Sequence, residues 1–361
     1  MNYKERRKRL LEESGADAVL LLNIEGSSRA SLIYYTGFTG TFAALLLTRN
    51  EEIFITDPRY TEQAKQQTGM QITEYRANKF FHEFLAEVIN DKRPRRIAIE
   101  KEKITVEFME KLSDKLSGNI EFVKVDGVIR KHRMVKDEGE VEKIKKAIEI
   151  AEKAFLDMLD FIKAGKSEKE VAAYLEYRMK VHGAERVGFE TILASGSRSA
   201  LPHGVASDKL IEEGDIIVVD FGCVYEGYHS DLTRMVAIGK PGREVRSVHK
   251  IVFEAQAKAI KDAKPGMTGK EIDAIARKYI ESKGYKKEFG HGLGHGVGLE
   301  IHESPRVSTM GKEEIIEGTV FTIEPGIYLE GRFGVRIEDD VIMRKDGVEV
   351  LSTLDREIYV I

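Results

Sequence analysis

The residues best placed to do chemistry are two acids around an apolar run, in residues 216–233 (IIVVDFGCVYEGYHSDLT). Four branched apolar residues predict a buried strand that ends at Asp220, and Asp231 follows shortly after. A buried carboxylate without a partner is costly, and two carboxylates close together also repel each other. A bound cation removes both penalties, so this stretch raises the hypothesis of a metal site.

The same pattern occurs a second time in the chain. Residues 212–227 (EEGDIIVVDFGCVYEG) match residues 316–331 (IEGTVFTIEPGIYLEG) at an offset of 104, which aligns Asp220 with Glu324. Upstream, residues 163–171 match residues 264–272 at an offset of 101, and both segments carry the capping-box signature of a helix start. The repeat predicts two related αβ halves, each of which places an acid at the end of an apolar strand.

Each of these two acids has a candidate partner acid across a turn. In the first half Asp231 lies about as far beyond the turn as Asp220 lies before it. In the second half Gly331 is midway between Glu324 and Glu338. Residues placed symmetrically about a hairpin turn face each other, with Cβ atoms about 5 Å apart. We therefore expect two facing pairs, and four carboxylates meeting at one interface require cations.

A nitrogen ligand is available in the segment HGLGHGVGLEIH, which holds three of the nine histidines, His291, His295 and His302. Its glycines argue against a helix, so a helical H-E-x-x-H zinc site is not predicted. Taken singly, each acid is more often a turn or solvated strand residue, and each histidine a packing residue. Together, four carboxylates and an imidazole suit two divalent ions such as Mn²⁺, Co²⁺ or Zn²⁺, which activate water and polarise a carbonyl.

The composition of the chain excludes several functional classes and indicates its cellular location. The chain has 361 residues, 42% of them hydrophobic, which is enough for two domains. Its net charge of −4 gives no electrostatic reason to expect binding to nucleic acid or to a membrane. The single cysteine, Cys223, excludes an internal disulfide and favours a reducing compartment. With no secretory signal and no membrane-length apolar segment in the sequence, a cytoplasmic location is predicted.

The elements that must position the site predict an α+β protein of two domains. The N-terminal third alternates apolar runs that predict strands with amphipathic segments that predict helices, which is typical of an α/β domain. The predicted strands are 18–23, 42–48, 52–57, 96–100 and 120–126, and the predicted helices are near 3–14, 59–68, 79–90 and 104–116. A long helix at 136–162 is expected at the junction. The predicted domains are residues 1–127, the smaller α/β domain, and 128–361, the domain of two pseudo-two-fold halves.

The C-terminal part resembles the pita-bread metallopeptidases, which include methionine aminopeptidase, aminopeptidase P and prolidase. The ligand pattern of that family is matched by Asp220 in VVDFG, Asp231 in HSDLTR, His295 in HGLGHG, Glu324 in TIEPG and Glu338 in VRIEDD. The resemblance implies two divalent metal ions per chain, Mn²⁺ or Co²⁺ foremost with Zn²⁺ as an alternative. Asp231 and Glu338 would be shared by the ions, Asp220 would bind one of them, and His295 and Glu324 the other. Glu324 would also take the proton from the attacking water.

Other motifs resemble the proline-specific branch of that family. Arg336 stands two residues before Glu338, and the segments LPHG (201–204) and IHESP (301–305) are typical of the branch. The N-terminal part contains YYTGF and DPRY, which are also found there. Methionine aminopeptidases of this type generally lack an N-terminal domain of about this size. The resemblance therefore implies a creatinase-like N-terminal domain in front of a pita-bread catalytic domain.

This branch implies a substrate and roles for further residues. His203 and His302 would line the substrate side of the site, with His291 nearby, where histidines can hydrogen-bond the scissile carbonyl or its tetrahedral oxyanion. Arg336 would hold the geometry of the site or contact the substrate. We expect a homodimeric Xaa-Pro aminopeptidase that acts on peptides with proline in second position. The alternative is a prolidase, which accepts only dipeptides. A catalytically silent peptide-binding module or a creatinase-like, metal-independent hydrolase is disfavoured, since all the ligands are present.

Overall fold

The computed structural model describes residues 2–361, which divide into two compact units with separate hydrophobic cores. The first unit ends at Arg133, and the second comprises Met134–Ile361. The domain boundary expected between residues 127 and 128 falls inside the last helix of the first unit, Asp126–Met134. Within residues 2–361, no helix combines the length and the apolar character that crossing a bilayer requires.

The described part of the first unit is a six-stranded mixed sheet with six α-helices. Its strands are β1 (Ala18–Ile24), β2 (Phe42–Thr48), β3 (Glu52–Thr56), β4 (Ile72–Glu74), β5 (Arg96–Ile99) and β6 (Glu121–Lys124). Its helices are α1 (Tyr3–Glu13), α2 (Arg29–Thr36), α3 (Thr61–Thr68), α4 (Phe81–Lys92), α5 (Val106–Ser113) and α6 (Asp126–Met134). The strand order is β4-β3-β2-β1-β5-β6, in which β2 is antiparallel to both neighbours and the other pairs are parallel. The central strands are continuous apolar runs because both of their faces are buried.

Helix α2, together with β4 and α6, is an element of the first unit that the sequence did not predict. Nearly all of its residues are buried, so it has no polar face to produce the 3.6-residue period. The local signals were Ser28 at the N-cap and Gly37 after the helix, where the left-handed conformation (φ 77°) favours glycine. A short helix that is buried on all sides is therefore predicted from its capping residues rather than from apolar periodicity.

The second unit contains four α-helices and fourteen strands in four sheets. The helices are α7 (Glu138–Leu159), α8 (Glu168–Val181), α9 (Arg243–Asp262) and α10 (Gly269–Ser282). The strands are β7 (Arg186–Val187), β8 (Ile192–Ser195), β9 (Ile216–Phe221), β10 (Cys223–Tyr225), β11 (Tyr228–His229), β12 (Leu232–Ala237), β13 (Gly294–Gly296), β14 (Glu303–Val307), β15 (Val320–Ile323), β16 (Gly326–Leu329), β17 (Phe333–Arg336), β18 (Asp339–Arg344), β19 (Gly347–Val350) and β20 (Tyr359–Val360). The two larger sheets have the orders β20-β12-β9-β8 and β14-β13-β15-β18-β19.

The repeat in the sequence corresponds to two halves with matching backbone hydrogen bonds, the first half being residues 163–237 and the second half residues 264–344. In the first half the segment leading into α8 donates from Gly165 to Ile211, from Glu168 to Lys209 and from Lys169 to Ser207. In the second half the segment leading into α10 donates from Gly266 to Ile315, from Gly269 to Glu313 and from Lys270 to Gly311. The donors are related by the offset of 101 and the acceptors by the offset of 104, so the two halves share one backbone frame.

The hairpin of the first half has a different register from the one expected. Glu226 and Gly227 both have positive φ (45° and 83°), which makes a two-residue turn of the type favoured in hairpins. The centre of the turn therefore lies between them, and Asp220 pairs with Thr233. The expected direct pairing of Asp220 with Asp231 is wrong, because Asp231 lies just before β12.

The hairpin of the second half follows the expected symmetry. Ile323 pairs with Asp339, and Gly326 pairs with Arg336, so the flanking acids Glu324 and Glu338 stand symmetrically about the turn. An isolated bridge between Thr233 and Glu338 joins this hairpin to the first one. The strand ends that carry the acids of the first half therefore lie next to those of the second half.

Candidate metal centre

All five predicted metal ligands line one cavity of about 470 Å³ in the second unit. Asp231, His295 and Glu338 each offer a ligand atom, and these atoms lie within 4.8 Å of one another. The Nε2 atom of His295 is 3.5 Å from Asp231 Oδ2 and 3.4 Å from Glu324 Oε1. Asp220 lines the same cavity from the end of β9. The structure therefore gathers the acids of both halves around one imidazole.

A chain of hydrogen bonds connects the acids of the two halves. Arg336 donates from Nη2 to Asp220 Oδ2 at 2.6 Å and from Nε to the hydroxyl of Thr233 at 3.0 Å. That hydroxyl donates in turn to Glu338 Oε2 at 2.6 Å. Since Arg336, Thr233 and Glu338 are all buried, this network fixes the orientation of two carboxylates before any ion is bound.

His295 is oriented by its neighbours in the second half. Its backbone N–H donates to the hydroxyl of Thr322 at 3.1 Å, and its Nδ1 lies 3.2 Å from the carbonyl oxygen of Gly296. A carbonyl only accepts, so this contact places the ring proton on Nδ1 and leaves the lone pair of Nε2 facing the carboxylates. The same Thr322 hydroxyl donates to Glu324 Oε1 at 3.3 Å.

The pKa values of the acids and of the histidine in this site are governed mainly by burial. Burial raises the pKa of Asp231 and of Glu338 well above their ordinary values, and repulsion from neighbouring carboxylates raises them further. Burial raises the pKa of Asp220 despite the Arg336 guanidinium, and it raises the pKa of Glu324 to about 8. Burial also lowers the pKa of His295 to about 4, which keeps the imidazole neutral and able to bind a cation.

These residues fit a divalent metal. The Oδ1 atom of Asp220 is buried and has no hydrogen-bond partner among residues 2–361, although its other oxygen is bound by Arg336. Four carboxylates and one neutral imidazole form an oxygen-rich donor set of the kind that hard and borderline divalent ions prefer. A cation at this position also removes the mutual repulsion that raises the pKa values of the acids.

The four other predicted site residues, His203, His291, His302 and Arg336, line the same cavity. The rings of His302 and His295 have centroids 4.2 Å apart and are nearly perpendicular, at 78°. His203 is exposed and lies in the segment that follows the short 3-10 helix Gly196–Ala200. Arg336 is buried and occupied by contacts within the protein, so in this structure it holds Asp220 and Thr233 in place.

Tyr328 and Arg306 are two of the cavity residues that the sequence did not predict as part of the site. The hydroxyl of Tyr328 accepts from Arg336 Nη1 at 2.6 Å and lies 3.1 Å from His291 Nε2. Arg306 is exposed, and within residues 2–361 its guanidinium makes no ion pair and no hydrogen bond. The available signal was the alternation of side-chain direction along β16 and β14. It indicates the face of the sheet on which a side chain lies but not the residues that it contacts.

The family follows from comparison with known proteins. Residues 142–345, more than half of the chain, match the model of Metallopeptidase family M24. The chain belongs to metallopeptidase family M24. Residues 5–135 match the Creatinase/Prolidase N-terminal domain. The chain is thus a metallopeptidase, and its family implies divalent metal ions at the cluster of carboxylates and histidine.

Proteins similar to this M24 chain match it over nearly its whole length. A Xaa-Pro dipeptidase of Pyrococcus horikoshii is 42% identical over 360 residues, which is 98% of each chain. The solved structure of an X-Pro aminopeptidase from Thermotoga maritima is 51% identical, with a TM-score of 0.93, and covers 99% of this chain and 100% of its own. A Xaa-Pro dipeptidase structure from Bacillus anthracis is 39% identical, with a TM-score of 0.94 and full coverage of both chains. The predicted fold, a creatinase-type N-terminal domain before a pita-bread domain, is confirmed.

Proposed function

We propose that this metallopeptidase is a Xaa-Pro dipeptidase, which hydrolyses dipeptides with a C-terminal proline. The relatives from Pyrococcus horikoshii and Bacillus anthracis are described as Xaa-Pro dipeptidases, which favours the prolidase alternative over the aminopeptidase expected first. The observation that carries the proposal is the guanidinium of Arg306, which lines the cavity of the candidate metal centre and has no partner in the described chain.

Arg306 is suited to read the carboxylate that distinguishes a dipeptide from a longer peptide. In a Xaa-Pro dipeptide this carboxylate lies one residue beyond the scissile bond, so it must sit in the same cavity as the reacting carbonyl. Arg336 is committed to Asp220 at 2.6 Å, whereas Arg306 is available. A guanidinium binds a carboxylate through two parallel hydrogen bonds, which gives both affinity and orientation. A longer peptide presents an uncharged amide at this position.

The residues around the cavity have distinct proposed roles in the reaction. When bound, two divalent ions, Mn²⁺ or Co²⁺ by expectation and Zn²⁺ as the alternative, would polarise the scissile carbonyl and lower the pKa of water. The ligands would be those implied by the family pattern, Asp220, Asp231, His295, Glu324 and Glu338. Glu324 would accept the proton of the attacking water and pass it to the proline nitrogen, as a general base and then a general acid.

The remaining side chains would hold the substrate and the geometry. His203 and His302 would donate hydrogen bonds to the carbonyl oxygen as negative charge develops on it. His291 would orient Tyr328, whose hydroxyl is 3.1 Å from its Nε2, and Arg336 would keep Asp220 in place. The homodimer implied by the resemblance stays a prediction.

The test compares three substrates with the same first residue: Xaa-Pro, its C-terminal amide and Xaa-Pro-Yaa. We expect the wild-type enzyme loaded with Mn²⁺ or Co²⁺ to prefer the free dipeptide. Arg306→Met should lower kcat/KM for the dipeptide by about 10- to 150-fold, since a hydrogen bond to a charged group contributes about 1.5–3 kcal/mol. The amide should be little affected. Equal losses for dipeptide and amide would remove Arg306 from carboxylate recognition.

A matched control is Arg243→Met. Arg243 is an exposed arginine at the start of α9 that does not line the cavity, so this variant carries the same change of charge without the proposed contact. We expect its kcat/KM values to equal those of the wild type for all three substrates. A similar loss in both variants would mean that net charge, and not a bound carboxylate, is being measured.

The second candidate function is a Xaa-Pro aminopeptidase, which the 51% identity to the Thermotoga maritima chain supports. Cleavage of Xaa-Pro-Yaa at the Xaa–Pro bond, at a rate comparable to that of the dipeptide, would establish it. If protein shown to carry two metals per chain cleaves none of the three substrates, the assignment to Xaa-Pro bonds is wrong.

A further inference from the structure

Glu168 is a fully buried carboxylate that lies outside the cavity of the candidate metal centre and is not used by the proposed chemistry. It occupies the first position of α8. Its Oε1 accepts hydrogen bonds from the backbone N–H and the hydroxyl of Ser195, both at 2.8 Å. Its Oε2 accepts from the N–H of Ser207 at 3.0 Å, from the Ser207 hydroxyl at 2.7 Å and from the guanidinium of Arg198. One anion thus collects five donors.

These partners bracket a single segment, residues 196–207, which we call the His203 loop. Ser195 ends strand β8 immediately before this loop, and Ser207 is its last residue. Arg198 also spans the loop, since its Nη2 donates to the carbonyl oxygen of Val205 at 2.8 Å. The carboxylate of Glu168 therefore fixes both ends of the loop and, through Arg198, its interior.

The His203 loop reaches the cavity at its centre. Pro202 and His203 both line the cavity, and the carbonyl oxygen of Pro202 accepts from Arg336 Nη1 at 3.2 Å. The rest of the loop is held by turn-type bonds, such as Leu201 N–H to the carbonyl of Arg198 at 2.9 Å, by the N–H of Gly334, which donates to Ser199 Oγ at 2.9 Å, and by an isolated bridge between Ile192 and Val205. None of these contacts holds a buried charge, so the anchor at the ends of the loop is the strongest single restraint on the position of His203.

A buried anion makes a stiff anchor for a physical reason. A carboxylate in the interior is tolerated only while its hydrogen bonds and its counter-charge are in place. Displacing the loop would strip Glu168 of the donors from Ser195 and Ser207 together, and the penalty would fall on a group that water cannot reach. The network is therefore cooperative, and it favours one loop position over others.

We propose that Glu168 is a positioning residue that acts through the His203 loop to place His203 against the substrate. This inference rests on the proposed function, in which His203 contacts the scissile carbonyl. Glu168 itself does not contact the substrate. Its effect is on where the imidazole of His203 stands in the reacting complex.

The first experiment needs no substrate and measures hydrogen exchange of the metal-free protein. In Glu168→Gln the amide NH₂ meets the donors of Arg198 or Ser207, so at least one hydrogen bond is lost. A bond to a charged group contributes about 1.5–3 kcal/mol, so we expect amide exchange in residues 196–207 to be about tenfold faster or more. Unchanged exchange in a folded Glu168→Gln protein would overturn the proposal.

The matched control is Glu170→Gln, a change of the same type in the same turn of α8. Glu170 is exposed, and its carboxylate caps the backbone N–H of Ser167 at 2.8 Å, a role that glutamine also performs. We expect wild-type exchange in residues 196–207 and wild-type turnover. If both variants loosen the loop equally, the effect belongs to the charge at the helix start and not to the Glu168 network.

The second experiment asks whether Glu168 acts through His203, using whichever peptide the wild-type enzyme cleaves. We expect Glu168→Gln to lower kcat by about 10- to 100-fold with unchanged metal content, because misplacement by about 1 Å has costs of this size. In a His203→Ala background the same change should lower kcat by less than about twofold. An equal loss in both backgrounds would show that Glu168 does not act through His203.

A smaller change covers the case in which Glu168→Gln does not fold. Ser207→Ala removes one hydroxyl donor and leaves the carboxylate in place, so we expect faster loop exchange and a loss of kcat that again disappears in the His203→Ala background. If Ser207→Ala changes neither loop exchange nor kcat, the proposal is wrong. An enzyme that cleaves peptides other than Xaa-Pro would overturn the proposed function while both readouts for Glu168 stay measurable.

Discussion

The two halves of the second unit share one backbone frame but stabilise it by different means. In the first half the carboxylate of Glu168 fills the space beside the frame and binds the His203 loop. The equivalent residue of the second half is Gly269, which has no side chain. A Cβ atom on Gly269 would lie 2.0 Å from the carbonyl oxygen of Arg306, and one on Gly311 would lie 2.1 Å from the same atom. Close backbone packing there replaces the buried charge.

This difference separates what the repeat supplies from what each half adds. The acids that line the metal centre come from equivalent strand ends, so the symmetric frame is sufficient to deliver them. The substrate side is asymmetric, because the first half presents His203 on a loop and the second half presents Arg306 on strand β14. Glu168 holds the loop that carries His203, and Gly269 packs against the backbone of Arg306. The shared frame therefore accounts for the acids of the metal centre, whereas the proposed substrate contacts come from residues of different type on different elements of the two halves.

The largest expected effect comes from the acids that the repeat makes equivalent, Asp220 and Glu324. Glu324→Gln should lower kcat by about 10²–10⁴-fold, the range of a general acid–base group, without lowering the thermal unfolding temperature. Asp220→Asn should also reduce turnover, but it should cost about 1–3 kcal/mol of stability, because buried Arg336 loses a charged acceptor. Turnover assays and thermal unfolding of the same preparations check both expectations.

The control for this pair is Glu330→Gln, an exposed acid near the turn of the second hairpin, which should change neither property. Retained turnover in Glu324→Gln would remove Glu324 from the mechanism. Equal losses of stability in the Asp220 and Glu324 variants would mean that the hydrogen bond from Arg336 gives Asp220 no larger contribution to stability than Glu324 has.

Part of this arrangement was predictable from the sequence because it is periodic or repeated. Apolar runs ending in an acid predicted β9 and β15, and the offset of 104 related Asp220 to Glu324 without any structure. The register of the first hairpin was not predictable from spacing. It depends on Glu226, a residue with a side chain that nevertheless adopts a positive φ of 45° and so moves the centre of the turn.

Other features required contacts between residues that are distant in the chain. The sequence around Glu168 predicted a helix start, and α8 does begin there. That its carboxylate binds Ser195 and Ser207 depends on how the loop folds back, which no local pattern contains. Likewise, Arg306 and Arg336 are both cations close in sequence to a predicted site residue, His302 and Glu338 respectively, and only the packing shows that Arg336 is paired with Asp220.

Removing the metal should make the stability of the folded protein depend on pH. The pKa of Glu324 in the folded, metal-free protein is raised from an ordinary value of 4.5 to about 8, by burial first and by the charge of Asp220 among its neighbours. The folded state therefore binds more protons than the unfolded state between these values, so stability falls as pH rises from about 4.5 to about 8. Unfolding temperatures of chelated protein at pH 5 and pH 8 should show this decline.

The same measurements on Glu324→Gln isolate the contribution of this group. Without an ionisable side chain at position 324, the decline of the unfolding temperature between pH 5 and pH 8 should be smaller. Metal-loaded wild-type protein should show a weaker decline as well, because the cations neutralise the acids. An equal slope in all three samples would place the source of the pH dependence elsewhere in the chain.

The glycine anchor of the second half can be tested with a single methyl group. Gly269→Ala should cost about 1–3 kcal/mol, since its Cβ would meet backbone atoms of Arg306 that cannot move independently. Because Arg306 must shift, KM for the dipeptide should rise more than kcat falls. Urea unfolding and steady-state kinetics measure the two effects. The control is Gly242→Ala at the start of α9, where a Cβ would meet no atom within 4 Å.

The smallest expected difference concerns the helix caps, which are alike in the two halves. Ser167 accepts from the N–H of Glu170 at 3.2 Å, and Thr268 accepts from the N–H of Glu271 at 3.3 Å. Ser167→Ala and Thr268→Ala should therefore each cost about 1 kcal/mol. The two costs in stability should be equal even though Ser167 is next to Glu168. The N–H of Glu168 donates to the carbonyl oxygen of Lys209, and in the same way the N–H of Gly269 donates to the carbonyl oxygen of Glu313. A clearly larger cost for Ser167→Ala, with faster exchange in the His203 loop, would show that the cap and the anchor of the first half form one unit.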